Sequence, residues 1–126
     1  MAKTVHNDVL DAALNYIKNN CNKMVACSQQ PTTFTEANST YALADVSMSS
    51  SDFTGPADGD TSGRKITVNA KSNVPVDVQG DPAVIVLLDT VNSKILYTTD
   101  EGSSQTIYVG NNANFPAWDI ELADPA

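Results

Sequence analysis

Apolar positions in the opening segment "VHNDVLDAALNYIKNN" recur at i, i+3, i+4 and i+7 through Leu10, Ala13, Leu14 and Ile17, with Val9, Ala12 and Tyr16 widening the stripe. That period predicts an amphipathic helix over about residues 7–19. Thr4 or Asn7 can cap its start, and Asp8 and Asp11 sit where the helix dipole favours anions. Lys18 lies near the other end, and the Asn19-Asn20 pair is suited to a left-handed stop.

Beyond Asn22 the period changes. "KMVACS" reads as a short strand, and the Ser-, Thr-, Pro- and Gly-rich stretch that follows reads as loop with a strand at Tyr41–Val46. A long polar loop is expected over about 47–63. From Arg64 the alternation is of period two: Ile66, Val68 and Ala70, then Val74, Val76 and Val78. "AVIVLLD" is apolar throughout, as in a strand covered on both faces. "TVNS" and "KILYTT" read as its turn and returning arm, while "QTIYVG" and "AWDIEL" supply two more strands, the last with Trp118, Ile120 and Leu122 on one face. Short, turn-separated strands predict a mainly β fold, a β-sandwich or small barrel fronted by the N-terminal helix, in a single domain spanning residues 1–126 whose β-rich part begins near residue 23.

Charge narrows the class of partner. Seven basic residues against fifteen acidic ones give a net charge of −8, and Arg64 is the sole arginine. Nucleic-acid binding requires a basic face that neutralises phosphates, so nucleic acid is excluded as a partner, and anionic membrane surfaces for the same reason. No apolar run approaches the roughly 20 residues of a membrane helix, and the start has no long apolar leader, so synthesis in a cytoplasm without an export signal is expected.

Candidate chemistry is sparse. In "ADGDTSGRK", Asp58, Asp60, Ser62 and Gly63 match positions 1, 3, 5 and 6 of a calcium loop, but Asn69 stands where a bidentate Glu is required. A turn in which Gly59 and Gly63 supply positive φ is the preferred reading, and Asp58, Asp60 and Ser62 stay weak metal candidates. His6, the only histidine, sits at the front of the helix, without an orienting carboxylate in view. Asp119 and Glu121 alternate with Trp118 and Ile120, as outward strand charges do. The run Asp100-Glu101-Gly102 reads as a solvated turn, and Cys21 and Cys27 as buried thiols in preference to a disulfide. No phosphate loop or dinucleotide fingerprint is present, so no enzyme, cofactor or metal requirement is expected.

The segments "HNDVLDAALNYI", "ACSQQPTTFTEANSTYALADV", "GPADGDTSGRKITVNA", "AVIVLLDTVNSKILYTT" and "WDIELADPA" together resemble a family of small structural proteins of tailed bacteriophages, many infecting marine or other alphaproteobacteria. The resemblance covers nearly the whole chain in order, though each segment is unspecific alone. The chain departs from that pattern in carrying Cys21 beside Cys27, where relatives have one cysteine near Cys27. The resemblance implies a virion component: a capsid decoration or cement protein on the exterior of the head, with the major capsid protein and its own copies, as a trimer, for partners. A tail- or fibre-associated adhesion protein is the alternative. On that reading "DFTGPADGDTSG" is a loop that becomes ordered on a neighbouring subunit, and Leu10, Leu14, Ile17, Phe53 and Arg64 are the interface candidates. For the helix stripe itself, an internal cover for the sheet is preferred over packing on another copy.

Overall fold

A computed structural model describes residues 3–100 and 106–125. The chain opens with α1 (Asn7–Asn20) and continues through β1 (Lys23–Cys27), β2 (Ala42–Ser47), β3 (Phe53–Asp58), β4 (Arg64–Val68), β5 (Lys71–Pro75), β6 (Val84–Asp89), β7 (Lys94–Asp100), β8 (Asn112–Phe115) and β9 (Trp118–Leu122). A π-helical turn at Glu36–Thr40 and a 3-10 turn at Ser50–Asp52 lie between strands. The fold is mainly β with one N-terminal helix, as the periodicities predict.

Every paired strand runs antiparallel to its neighbour. One sheet has the order β2-β1-β6-β7, a second β3-β4-β9, and a third β5-β8. The first sheet is covered on both faces, which is why β6 can be apolar at successive positions. Met24, Ala26, Ala44, Ile85 and Leu87 project into the main core, where they meet Ile66, Val68, Phe53 and Ile120 of the second sheet, Val74 and Phe115 of the third, and Leu14 of α1. Val25, Cys27, Val84, Val86 and Leu88 form a smaller core on the reverse face, covered by Phe34, Ala37 and Tyr41 from the connection between β1 and β2. Glu36 ties that connection together by accepting from the Thr32 N–H and hydroxyl at 2.9 Å each and from Tyr41 Oη at 3.2 Å.

Several boundaries differ from the sequence reading. His6, not Thr4 or Asn7, caps α1: its Nδ1 accepts from the Asp8 N–H at 3.0 Å. The helix ends at an extended Cys21, whose N–H donates to Ile17 O at 2.9 Å, without a left-handed Asn. The expected polar loop over 47–63 is mostly structured, because the 3-10 turn leads into β3, which pairs with β4 despite Gly55 and Pro56 in its middle. β5 stops at Pro75, so Val74 and Val76 are buried while Val78 turns out to solvent. In place of a strand at "QTIYVG", Ile107 makes only an isolated bridge to Gly80, and a strand the period did not predict, β8, follows it. Gln105, and Glu101 and Gly102 of the expected solvated turn, lie outside the described residues.

Candidate functional site

"ADGDTSGRK" is the turn of the β3–β4 hairpin. Asp58 and Arg64 pair across its base, and the Gly59 N–H donates to Gly63 O at 2.9 Å. Gly63 has φ +70°, and a side chain there would run into the carbonyl of Leu122 on β9, so two separate constraints require glycine. The weak metal candidates do not converge. Asp58 Oδ1 accepts from Arg64 Nη1 at 2.8 Å, Asp60 accepts from Lys65 Nζ at 2.6 Å, and Ser62 Oγ accepts from the Asp124 N–H at 3.2 Å. Asn69 Oδ1, at the twelfth calcium-loop position, accepts instead from Thr54 Oγ1. Among the described residues no three His, Cys, Asp or Glu side chains cluster as metal ligands would.

The interface candidates divide by burial. Leu14 and Phe53 are core residues, closed off by the sheets they pack on, and cannot contact a neighbour. Ile17 also packs against the core, half-buried, and Leu10 is half-buried. Arg64 is held inside the chain: its Nε donates to Asp11 Oδ1 at 2.8 Å, with side chains 19 % and 23 % exposed, and Nη1 reaches Asp58. Asp11 foremost, then Asp58, pushes the guanidinium further above its ordinary pKa. The segment "DFTGPADGDTSG", expected to become ordered on a neighbouring subunit, is a hairpin arm and turn held to α1 through the adjacent Arg64.

What periodicity could not separate is the remainder of the helix. Val9, Ala12, Ala13 and Tyr16, again at i, i+3, i+4 and i+7, face solvent, with Val9 60 % and Tyr16 46 % exposed. A surface helix ordinarily turns polar residues outward. Here Asp11 points inward to Arg64, and an apolar stripe remains on the outside. Lys94 of β7 borders the stripe, with its Nζ 2.9 Å from Tyr16 Oη and 5.5 Å from the ring centroid.

The other titratable residues that the sequence singled out on β1, β9 and the end of α1 are buried or paired. Cys21 and Cys27 are free, buried thiols. Burial pushes each thiol up to about 11. Asp119 and Glu121 face outward on β9 as expected, and both are committed: Asp119 accepts from Thr67 Oγ1 at 2.7 Å and Glu121 from the Thr61 N–H at 3.2 Å. No helix among the described residues is long and apolar enough to cross a membrane.

A cleft of about 510 Å³ opens beside β8. Ala26, Val76, Ala113 and Phe115 supply its apolar lining, and Tyr108, Asn111, Asn112 and Asn114 its polar groups. A turn builds the rim: the Asn111 N–H donates to Tyr108 O at 3.1 Å, with Gly110 at φ +94° between them. The turn is tied to the sheet where the Val76 N–H donates to Asn111 O at 3.2 Å. Nothing in the sequence marked this site, because its parts come from three separated segments and only the turn glycine had a local signal.

No family model, curated protein or solved structure matches this chain.

Proposed function

We propose that this chain is a structural protein of a bacteriophage particle, a decoration or cement protein that binds the outside of the head and bridges neighbouring capsid subunits, acting by adhesion and without transforming a substrate. The observation that carries this reading is the outward apolar stripe Val9, Ala12, Ala13, Tyr16, on a helix whose opposite face is already committed to the core. An exposed apolar stripe offers surface that a contact with another protein would remove from water. The stripe spans only two helical turns, well short of the roughly 800 Å² per partner of a stable isolated interface. A small contact suits repetition on a lattice, where many copies gain avidity that one contact lacks. The net charge of −8 suits an exterior position away from packaged DNA. The partners are the major capsid protein and sister copies, grouped as trimers.

The test is occupancy. Particles carrying the double variant Val9→Asp, Tyr16→Asp are expected to lose this protein from the head while the purified variant keeps its β-sheet circular dichroism. Full occupancy by the variant would overturn the reading. The cleft beside β8, lined by apolar and carboxamide side chains, favours a second reading, a tail- or fibre-associated adhesion protein. A handful of copies per particle instead of hundreds would select it.

A further inference from the structure

The cleft beside β8 plays no part in the assembly reading. We propose that it binds a neutral polyhydroxylated ring, a pyranose unit, and this proposal stands whether the chain sits on a head or a tail. Its first support is charge. The chain has seven basic and fifteen acidic residues, yet among the described residues no charged side chain lines this cleft. Phosphates, carboxylates and cations are recognised by opposite charge or by charge-assisted hydrogen bonds, and the described residues of the cleft offer no such group.

The second support is the kind of polarity present. Asn111, Asn112 and Asn114 give the cleft three carboxamides, each with two donor hydrogens and an acceptor oxygen. Adjacent hydroxyls on a sugar ring present the same mixture of donors and acceptors. Asn114 Oδ1 is occupied by the Asn73 N–H at 3.0 Å. Among the described residues, no hydrogen bond takes up the side-chain amides of Asn111 and Asn112 or the hydroxyl of Tyr108. The C–H faces of a pyranose need apolar surface, which Tyr108 and the floor at Val76, Ala113 and Phe115 provide. The volume of about 510 Å³ falls within the range of small-molecule sites, ~300–1,000 Å³.

The third support is pre-organisation. The turn hydrogen bond at 3.1 Å places Tyr108 and Asn111 at the two ends of one β-turn, and the 3.2 Å bond from Val76 fixes that turn to the strand layer. A rim held in place before binding loses little conformational freedom on binding. A peptide strand added along β8 is the competing occupant. It would recognise main chain, and β8 offers only the four residues Asn112–Phe115, whereas the polar groups here are concentrated in side chains.

The experiment is a two-dimensional 15N NMR titration of the full chain with methyl pyranosides of glucose, galactose, mannose and N-acetylglucosamine, with the corresponding free sugars, and with a capped peptide of alternating Val and Thr. At least one sugar is expected to give saturable shifts of the Asn111 and Asn112 side-chain amides by about 10 mM, as a millimolar Kd requires. Binding of the methyl glycoside as well as the free sugar identifies a glycan end as the source; binding of the free sugar alone identifies a free monosaccharide. Both outcomes support the site. Asn112→Ala and Tyr108→Ala are each expected to weaken binding about tenfold, the effect of losing one hydrogen bond or aromatic contact to the ligand. The Val9→Asp, Tyr16→Asp protein is expected to bind sugar unchanged, which separates this site from the assembly surface. Absence of saturable shifts with every sugar overturns the proposal, as does binding of the peptide alone. So does sugar binding that survives both alanine variants.

Discussion

Leu14→Ala tests whether α1 is part of the core. Leu14 is fully buried, in a cluster that includes Phe53, Ile66, Val68 and Ile120. Truncation removes three carbons, each worth about 0.8 kcal/mol of transfer free energy, or about 2.4 kcal/mol together. The cavity left behind raises the cost, since neighbouring β-strands relax only in part, and the total is about 3–4 kcal/mol. Domains of this kind are stable by roughly 5–15 kcal/mol, so the variant folds but with much of its margin gone. At about 2.1 cal/mol/K of unfolding entropy per residue, the Tm of this 126-residue chain falls by about 11–15 °C. Urea titration followed by far-ultraviolet circular dichroism measures the effect as a lower midpoint with an unchanged slope. Val9→Ala, on the outward face of the same helix, serves as the contrast and changes stability by less than about 0.5 kcal/mol. A cost below about 1 kcal/mol for Leu14→Ala, or equal costs for the two variants, would refute an internal role for the inner stripe. Leu14→Asp, which buries a charge without a partner, is expected to unfold the chain and not to release a folded monomer.

Two further predictions concern titration. With both thiols pushed up to about 11 by burial, Cys21 and Cys27 resist a disulfide reagent at pH 8, where only about one thiol in a thousand is ionised, and react at once in urea; fast native labelling counted by absorbance would contradict their burial. Among the described residues, three carboxylates lie below their ordinary range: Glu36 through the Thr32 N–H and hydroxyl, Asp89 through Asn92, and Asp52, where desolvation raises the value but is outweighed by bonds from Lys71 and Ser49. The folded state therefore holds fewer protons than the unfolded one in this range, so their stabilisation is complete above pH ~5 and is lost progressively as pH falls through the unfolded values and then the depressed folded ones. Urea midpoints are expected to be lower at pH 3 than at pH 6; midpoints that stay level or rise on acidification would contradict that sign.

The parts of the fold legible in the sequence are those where one local period meets one environment. "AVIVLLD" is apolar at successive positions because both of its faces are covered, and β9 alternates because only one is. β3 was hidden by Gly55 and Pro56, which signal a loop by propensity, while cross-strand pairing to β4 determined the outcome. β8, "NANF", is too polar and too short for a period to register. The helix was legible as a helix, but its apolar positions extend around the cylinder, and which of them meet the core depends on packing that periodicity does not encode. The inward position of Asp11 could not be foreseen without its partner Arg64, 53 residues away. The β8 cleft was invisible for the same reason, since its lining converges only once the sheets have formed.

The contact between Tyr97 and Trp118, with ring centroids 5.8 Å apart, provides the molecule with an intrinsic optical gauge. Trp118 is the sole tryptophan, and its indole N–H is buried without a hydrogen-bond partner among the described residues. Its emission therefore originates from one known place, the seam between the last strand and the four-stranded sheet, in surroundings that quench and shift it differently from water. Excitation energy passed from the neighbouring phenol to the indole fades as that seam opens. Detachment of the C-terminal strand can thus be followed in unlabelled protein, separately from the loss of the remaining secondary structure.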